Sequence, residues 1–151
     1  MKKSRLNMKK VDTRNFTWRE LEYSDKALEL GIDNSAPKDL IENGNRLLKF
    51  LQGFRDAYGE PIIISSGYRC PKLNKAVGGA KRSSHLHCLA ADLVVKGDWD
   101  KFIRFAVGYM DGLDFDQCII ERNSKGSKWL HIGIDHPELG QRKQLFSLNV
   151  K

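Results

Sequence analysis

The sequence predicts a single α+β domain in which N-terminal helices pack on a small, mainly antiparallel sheet. Helical periodicity dominates residues 17–58, whereas short β-rich runs dominate the chain after Pro61. Two of those runs, 115–121 and 129–134, flank one polar loop and read as a late antiparallel hairpin. The length, 151 residues with 40% hydrophobic, suits one core and not two.

Phe16-Thr17-Trp18-Arg19-Glu20-Leu21 opens the first helix. Thr17 can cap the free amides, Glu20 can reach back to the cap, and Phe16 and Leu21 form a hydrophobic staple. Gly31 is its predicted stop. A second helix is predicted over 37–58, with Pro37 in the first turn and Gly59 as the left-handed exit. Its Leu40, Ile41, Gly44, Leu47, Leu48, Leu51, Phe54 and Tyr58 make one buried stripe. A strand is predicted over 62–65, then a loop over 66–84 in which residues 72–77 can form a helical turn. A second strand fits 90–95. Asp98 caps a third helix reaching Met110, and residues 144–150 add an edge strand after the hairpin.

The net charge of +7 is concentrated at one end. Residues 1–14 hold six basic side chains against Asp12, which leaves +2 for the rest. A basic flexible arm over 1–14 ahead of a domain over 15–151 is therefore expected, with affinity for polyanions in general and no specific nucleic-acid partner. The longest aliphatic run, Ile62-Ile63-Ile64, is far short of the ~20 residues a bilayer span requires. No apolar stretch follows the N-terminal lysines, so no secretory signal is expected and synthesis is assigned to the cytosol. Cys70, Cys88 and Cys118, odd in number and without Cys-x-x-Cys spacing, read as core thiols. A monomer is expected.

The four histidines fall in two clusters, each beside a predicted strand. His85 ends a loop, and Asp92 stands on the strand after it, among Ala90, Ala91, Leu93, Val94 and Val95. A carboxylate in such surroundings needs a partner, and either a metal ion or an arginine would serve. In Trp129-Leu130-His131-Ile132-Gly133-Ile134 the alternation sends Leu130, Ile132 and Ile134 to the core and Trp129, His131 and Gly133 to the other face. A symmetric seven-residue loop, Arg122 through Lys128, places Glu121 opposite Trp129 and Ile119 opposite His131. Glu121 then lies diagonal to His131, roughly 7–8 Å away. Two histidines and one carboxylate with an open fourth position are the donor set of catalytic zinc. Zinc makes a nucleophile of water near neutral pH, and Glu121 is placed to take that water's proton. His136, in Asp-His-Pro, reads as a turn residue.

The stretches FTWREL, SSGYRCPKLNKAVGGAKRSSH (65–85), SSHLHCLAAD (83–92), FDQCIIE (115–121) and WLHIGI (129–134) together resemble the zinc D-Ala-D-Ala carboxypeptidase and L-alanyl-D-glutamate endopeptidase family. Its fold is shared with VanX-type dipeptidases and the hedgehog signalling domain, and small phage members are the most similar. The resemblance implies a Zn2+ ion on His85, Asp92 and His131, and Arg69 on the substrate carbonyl or carboxylate. Ser83 is implied in a supporting role at the substrate. It implies hydrolysis of peptide bonds in peptidoglycan stem peptides, as a lysis or wall-penetration enzyme acting after release from the cell. Trp129 and His87 are further candidates for substrate contact. Two departures stand out: Cys88 replaces a usual glycine, and Lys128 occupies the position where many relatives hold an acidic base. Glu121 is therefore the expected base. The alternative is a non-catalytic, zinc-stabilised binding module of the same fold.

Overall fold

Thr17 caps the first helix, α1 (Trp18–Glu22), as the sequence predicts: its hydroxyl accepts from the Glu20 amide and the Glu20 carboxylate accepts from the Thr17 amide, each at 3.1 Å. Phe16 and Leu21 are fully buried. The predicted single helix to Gly31 is split in two, because the carbonyls ending α1 are taken by tertiary partners. Tyr68 N–H donates to Leu21 O at 2.7 Å and Asn34 Nδ2 donates to Glu22 O at 2.9 Å. Ser24 then caps α2 (Asp25–Leu30), which exits through Gly31 at φ +66°. The computed structural model describes residues 8–150.

A 3₁₀ turn (Lys38–Leu40) leads into α3 (Ile41–Tyr58), which buries Ile41, Gly44, Leu47, Leu48, Leu51 and Phe54 and ends at Gly59 in the left-handed region. At Gly44 the Trp18 indole occupies the space of a side chain, which locks α1 to α3. Then come β1 (Ile63–Ser66), α4 (Pro71–Ala76), a 3₁₀ turn (Ser84–His87) and β2 (Ala90–Val94). Asp98 caps α5 (Trp99–Met110) by accepting from Lys101 N–H at 3.1 Å. The chain ends in β3 (Gln117–Asn123), β4 (Lys128–Gly133) and β5 (Gln144–Val150).

The five strands form one sheet in the order β1-β2-β4-β3-β5, antiparallel except for the parallel β3–β5 pair. The domain is α+β as predicted. β3 starts and ends two residues later than the sequence suggests, because Arg122 and Asn123 stay in the ladder. The turn is correspondingly tight, with Gly126 at φ +87° donating to Asn123 O. The register is the predicted one, Glu121 opposite Trp129 and Ile119 opposite His131.

One hydrophobic core joins the apolar stripe of α3, Phe102, Ala106 and Met110 of α5, and the inward residues of the strands. Of the predicted basic arm, residues 1–7 lie outside the described residues. Residues 8–14 are not the flexible arm expected but run against the fold: Asn45 bonds Lys9 O and Val11 N–H, Lys10 pairs with Glu22, and Arg14 pairs with Asp56. No helix among the described residues is long and apolar enough to cross a membrane.

Candidate metal centre

Period-two alternation brings two of the singled-out residues together. Ala91 and Leu93 turn into the core, so Asp92 turns to the opposite face; Leu130 and Ile132 do the same for His131. Asp92 and His131 are directly paired across β2 and β4. His131 Nδ1 lies 3.0 Å from Asp92 Oδ1.

His85 arrives from the 3₁₀ turn. Ser83 accepts from its amide at 3.2 Å, and Arg69 N–H donates to its carbonyl at 3.1 Å. The imidazole Nδ1–H donates to Gly67 O at 2.6 Å, which leaves Nε2 as the bare lone pair. Gly67 is needed there, because a side chain would strike the Leu21 backbone. The chain leaves the turn through Cys88 at φ +57°, a conformation that favours glycine.

His85 Nε2 is 3.3 Å from Asp92 Oδ1 but outside hydrogen-bonding geometry, so this fully buried nitrogen has no partner. Buried polar atoms are rarely left so. Two ligand atoms held ~2.0 Å from a tetrahedral ion lie ~3.3 Å apart. The separations of 3.3 and 3.0 Å are those of such a site, and the three donors all lie within 4.8 Å of one another. The donor set, the tautomer and the orphaned lone pair all fit zinc.

Electrostatics agree with that use. Burial pushes the His85 imidazole below its ordinary pKa and so keeps it neutral, as a ligand must be. Burial opposes ionisation of Asp92, but the hydrogen bond with His131 favours the carboxylate, and the carboxyl is held below the usual range.

The triad opens on a cleft of about 780 Å³, whose walls include Arg69, Ser83, Glu121 and Trp129. Trp129 Nε1–H donates to Glu121 Oε2 at 2.5 Å and fixes the carboxyl over the cleft. Burial and the charge of Asp92 raise the Glu121 pKa, which suits a group that takes up and returns a proton. Burial lowers the pKa of the Arg69 guanidinium, while Asp92 and Glu121 oppose that shift; the group stays charged at neutral pH. Arg69 Nε is a second buried atom without a partner. Gly79 leaves room for this side chain, since a Cβ would meet Arg69 Nη1 at 2.9 Å.

His87 does not line the cleft; its ring packs edge-on against His136 at 5.3 Å. Lys128 is exposed and points to the face opposite His131. His136 is more than a turn residue. It is 2% exposed, and its Nε2 bonds Arg82 O at 2.8 Å while Nδ1 accepts from the Glu138 and Leu139 amides. It thereby clips the chain after β4 onto the loop that carries His85. The sequence signal for this role was weak, a lone histidine beside proline. Arg142 and β5 also reach the cleft, and the sequence placed neither there.

No curated protein matches the chain. A family model described as Peptidase M15 matches residues 14–132. That span starts just ahead of α1, stops one residue past His131, and takes in the triad, Arg69, Ser83, Glu121 and Trp129; the chain belongs to the Peptidase M15 family.

Proposed function

We propose that this protein is a zinc-dependent peptidase that hydrolyses peptide bonds in the stem peptides of peptidoglycan, as a lysis-type enzyme. The observation that carries the reading is the convergence of His85 Nε2, Asp92 Oδ1 and His131 Nδ1 under Glu121 and Arg69 in one cleft. A zinc ion held by the three would acidify water and polarise the scissile carbonyl.

The chain's own groups do the rest. The Gly67 carbonyl fixes the His85 tautomer, and the direct pairing of Asp92 with His131 fixes the other two donors. Arg69 donates to the substrate carbonyl as negative charge builds on its oxygen. Glu121 is held by Trp129 through Oε2, which leaves Oε1 to take a proton from water and deliver it to the leaving amine nitrogen. The water oxygen bonds to the carbonyl carbon, and the C–N bond breaks as the proton reaches the amine, leaving a carboxylate and a free amine. Ser83 and Trp129 form the adjoining substrate walls. The enzyme acts as a monomer and reaches the wall after release from the cell, with the basic residues of 1–14 favouring anionic wall polymers.

Glu121→Gln tests the assignment. Zinc content, read by metal analysis, stays near one per chain. Release of amine from purified peptidoglycan falls by about 10²–10⁴-fold. Full activity in this variant would remove Glu121 from the mechanism. Wild-type protein that binds zinc and wall without releasing amine would instead be a binding module.

A further inference from the structure

β5 lies beyond the span the family model matches, yet it forms part of the cleft. Register fixes where its side chains stand. One row across the sheet reads Asp92, His131, Ile119, Phe146; the next reads Trp129, Glu121, Leu148. Both rows face the cleft. Phe146 and Leu148 are large apolar side chains left 40% and 43% exposed, continuous with the floor that carries the triad.

Neighbouring strands are ~4.8 Å apart, so Phe146 stands ~10 Å from His131 along its row. An extended peptide advances ~3.5 Å per residue, so that distance spans about three residues. An enzyme that removes one C-terminal residue needs a cation about one residue from the scissile bond. On this side the row offers Ile119 and Phe146. Of the arginines lining the cleft, Arg142 is tied to Asp116, while Arg69 follows β1 and Arg82 stands in the loop that leads to His85. On that other side a second pocket of about 300 Å³, lined by Tyr23, Asp25, Lys26, Ser65 and Ser66, shares Arg69 and Val77 with the cleft. The cleft thus extends past the triad to β5 on one side and abuts a second pocket on the other.

We propose that β5 is a substrate-binding strand. Phe146 and Leu148 seat an aliphatic part of the peptide two to three residues from the bond that is cut, and that bond is internal. Stem peptides supply such parts in alanine methyls and the methylene chain of their diamino acid. The inference rests on the peptidase reading and narrows it to an endopeptidase.

The test uses zinc-loaded protein and a synthetic stem pentapeptide, as the free acid and as the C-terminal amide, with products identified by mass spectrometry. Both forms should be cut at the same internal bond, at rates within about twofold of each other. Leu148→Asp should raise KM for the pentapeptide about tenfold while zinc content stays unchanged. Leu148→Ala should move KM the same way by less, and Leu148→Met should restore it. Release of a terminal residue from the free acid alone overturns the proposal, as does an unchanged KM in Leu148→Asp. If wild-type protein cuts neither peptide nor wall, the peptidase reading fails first. Binding of the amide, followed by Trp129 fluorescence, then decides on β5: weaker binding by Leu148→Asp upholds a peptide-binding strand, and equal binding overturns it.

Discussion

The two faces of the sheet are cut from the same strands, one residue apart. On the core face Ala91, Leu93, Cys118, Leu130 and Ile132 are wholly buried, in one cluster with α3 and α5. On the cleft face Asp92 pairs with His131 and Glu121 with Trp129, and beside them the His85 Nε2 from the 3₁₀ turn is left open. The core face asks for volume, and similar apolar groups can exchange there at modest cost. The cleft face asks for particular atoms in particular places, and no substitute of similar size supplies them. A period of two lets one short strand meet both demands.

The sharpest way to break this contrast is to truncate neighbours on β4. His131→Ala should abolish wall cleavage and remove zinc, read by metal analysis, and in metal-free protein it should lower stability in urea by about 1–3 kcal/mol as Asp92 loses a partner. Leu130→Ala should cost about 2–5 kcal/mol of stability, and its folded fraction should keep the zinc ratio of the wild type. Loss of zinc from folded Leu130→Ala would mean that the faces are not separable.

A second contrast lies in their response to alkali. Burial pushes the thiols of Cys88 and Cys118 up to about 12 from 9.0. The unfolded chain therefore gives up these protons above pH 9, while the folded chain keeps them. Stability contributed by the neutral thiols is intact below pH 9 and falls as pH rises toward 12, by about 1.4 kcal/mol per pH unit for each thiol. Urea titrations from pH 7 to 11 should show this slope, and Cys118→Ala should reduce it by one thiol's share.

The smallest effect is expected at Cys88. Replacing it with glycine relieves the left-handed backbone but gives up a buried sulfur and adds freedom to the unfolded chain. The urea midpoint should move by no more than about 1 kcal/mol equivalent.

Local signals carried much of the fold. The Thr17–Glu20 box, the left-handed glycines at 31 and 59, and the Asp98 cap depend on neighbours in sequence and stand where they were expected. Asp92 and His131 were legible for a related reason: Asp92 breaks an apolar run and so needs a partner, and His131 stands on the outward side of a clean alternation. What stayed hidden depends on residues far along the chain. The break between α1 and α2 is made by Tyr68 and Asn34, and the clamp at His136 by the Arg82 carbonyl. The docking of β5 beside β3 is led by Arg142 meeting Asp116 and by the amides of Lys143 and Gln144 on the Phe115 and Asp116 carbonyls.

That last pair has a consequence for the conditions in which the protein can work. The Asp116 side chain is wholly shielded from solvent and receives the Arg142 fork at 2.6 and 3.0 Å. Dissolved ions weaken exposed pairs such as Arg14–Asp56 and Lys101–Glu60, but they reach a sheltered one far less. The terminal strand should therefore stay fastened in brine that loosens the rest of the surface, and the groove it completes should keep its shape there.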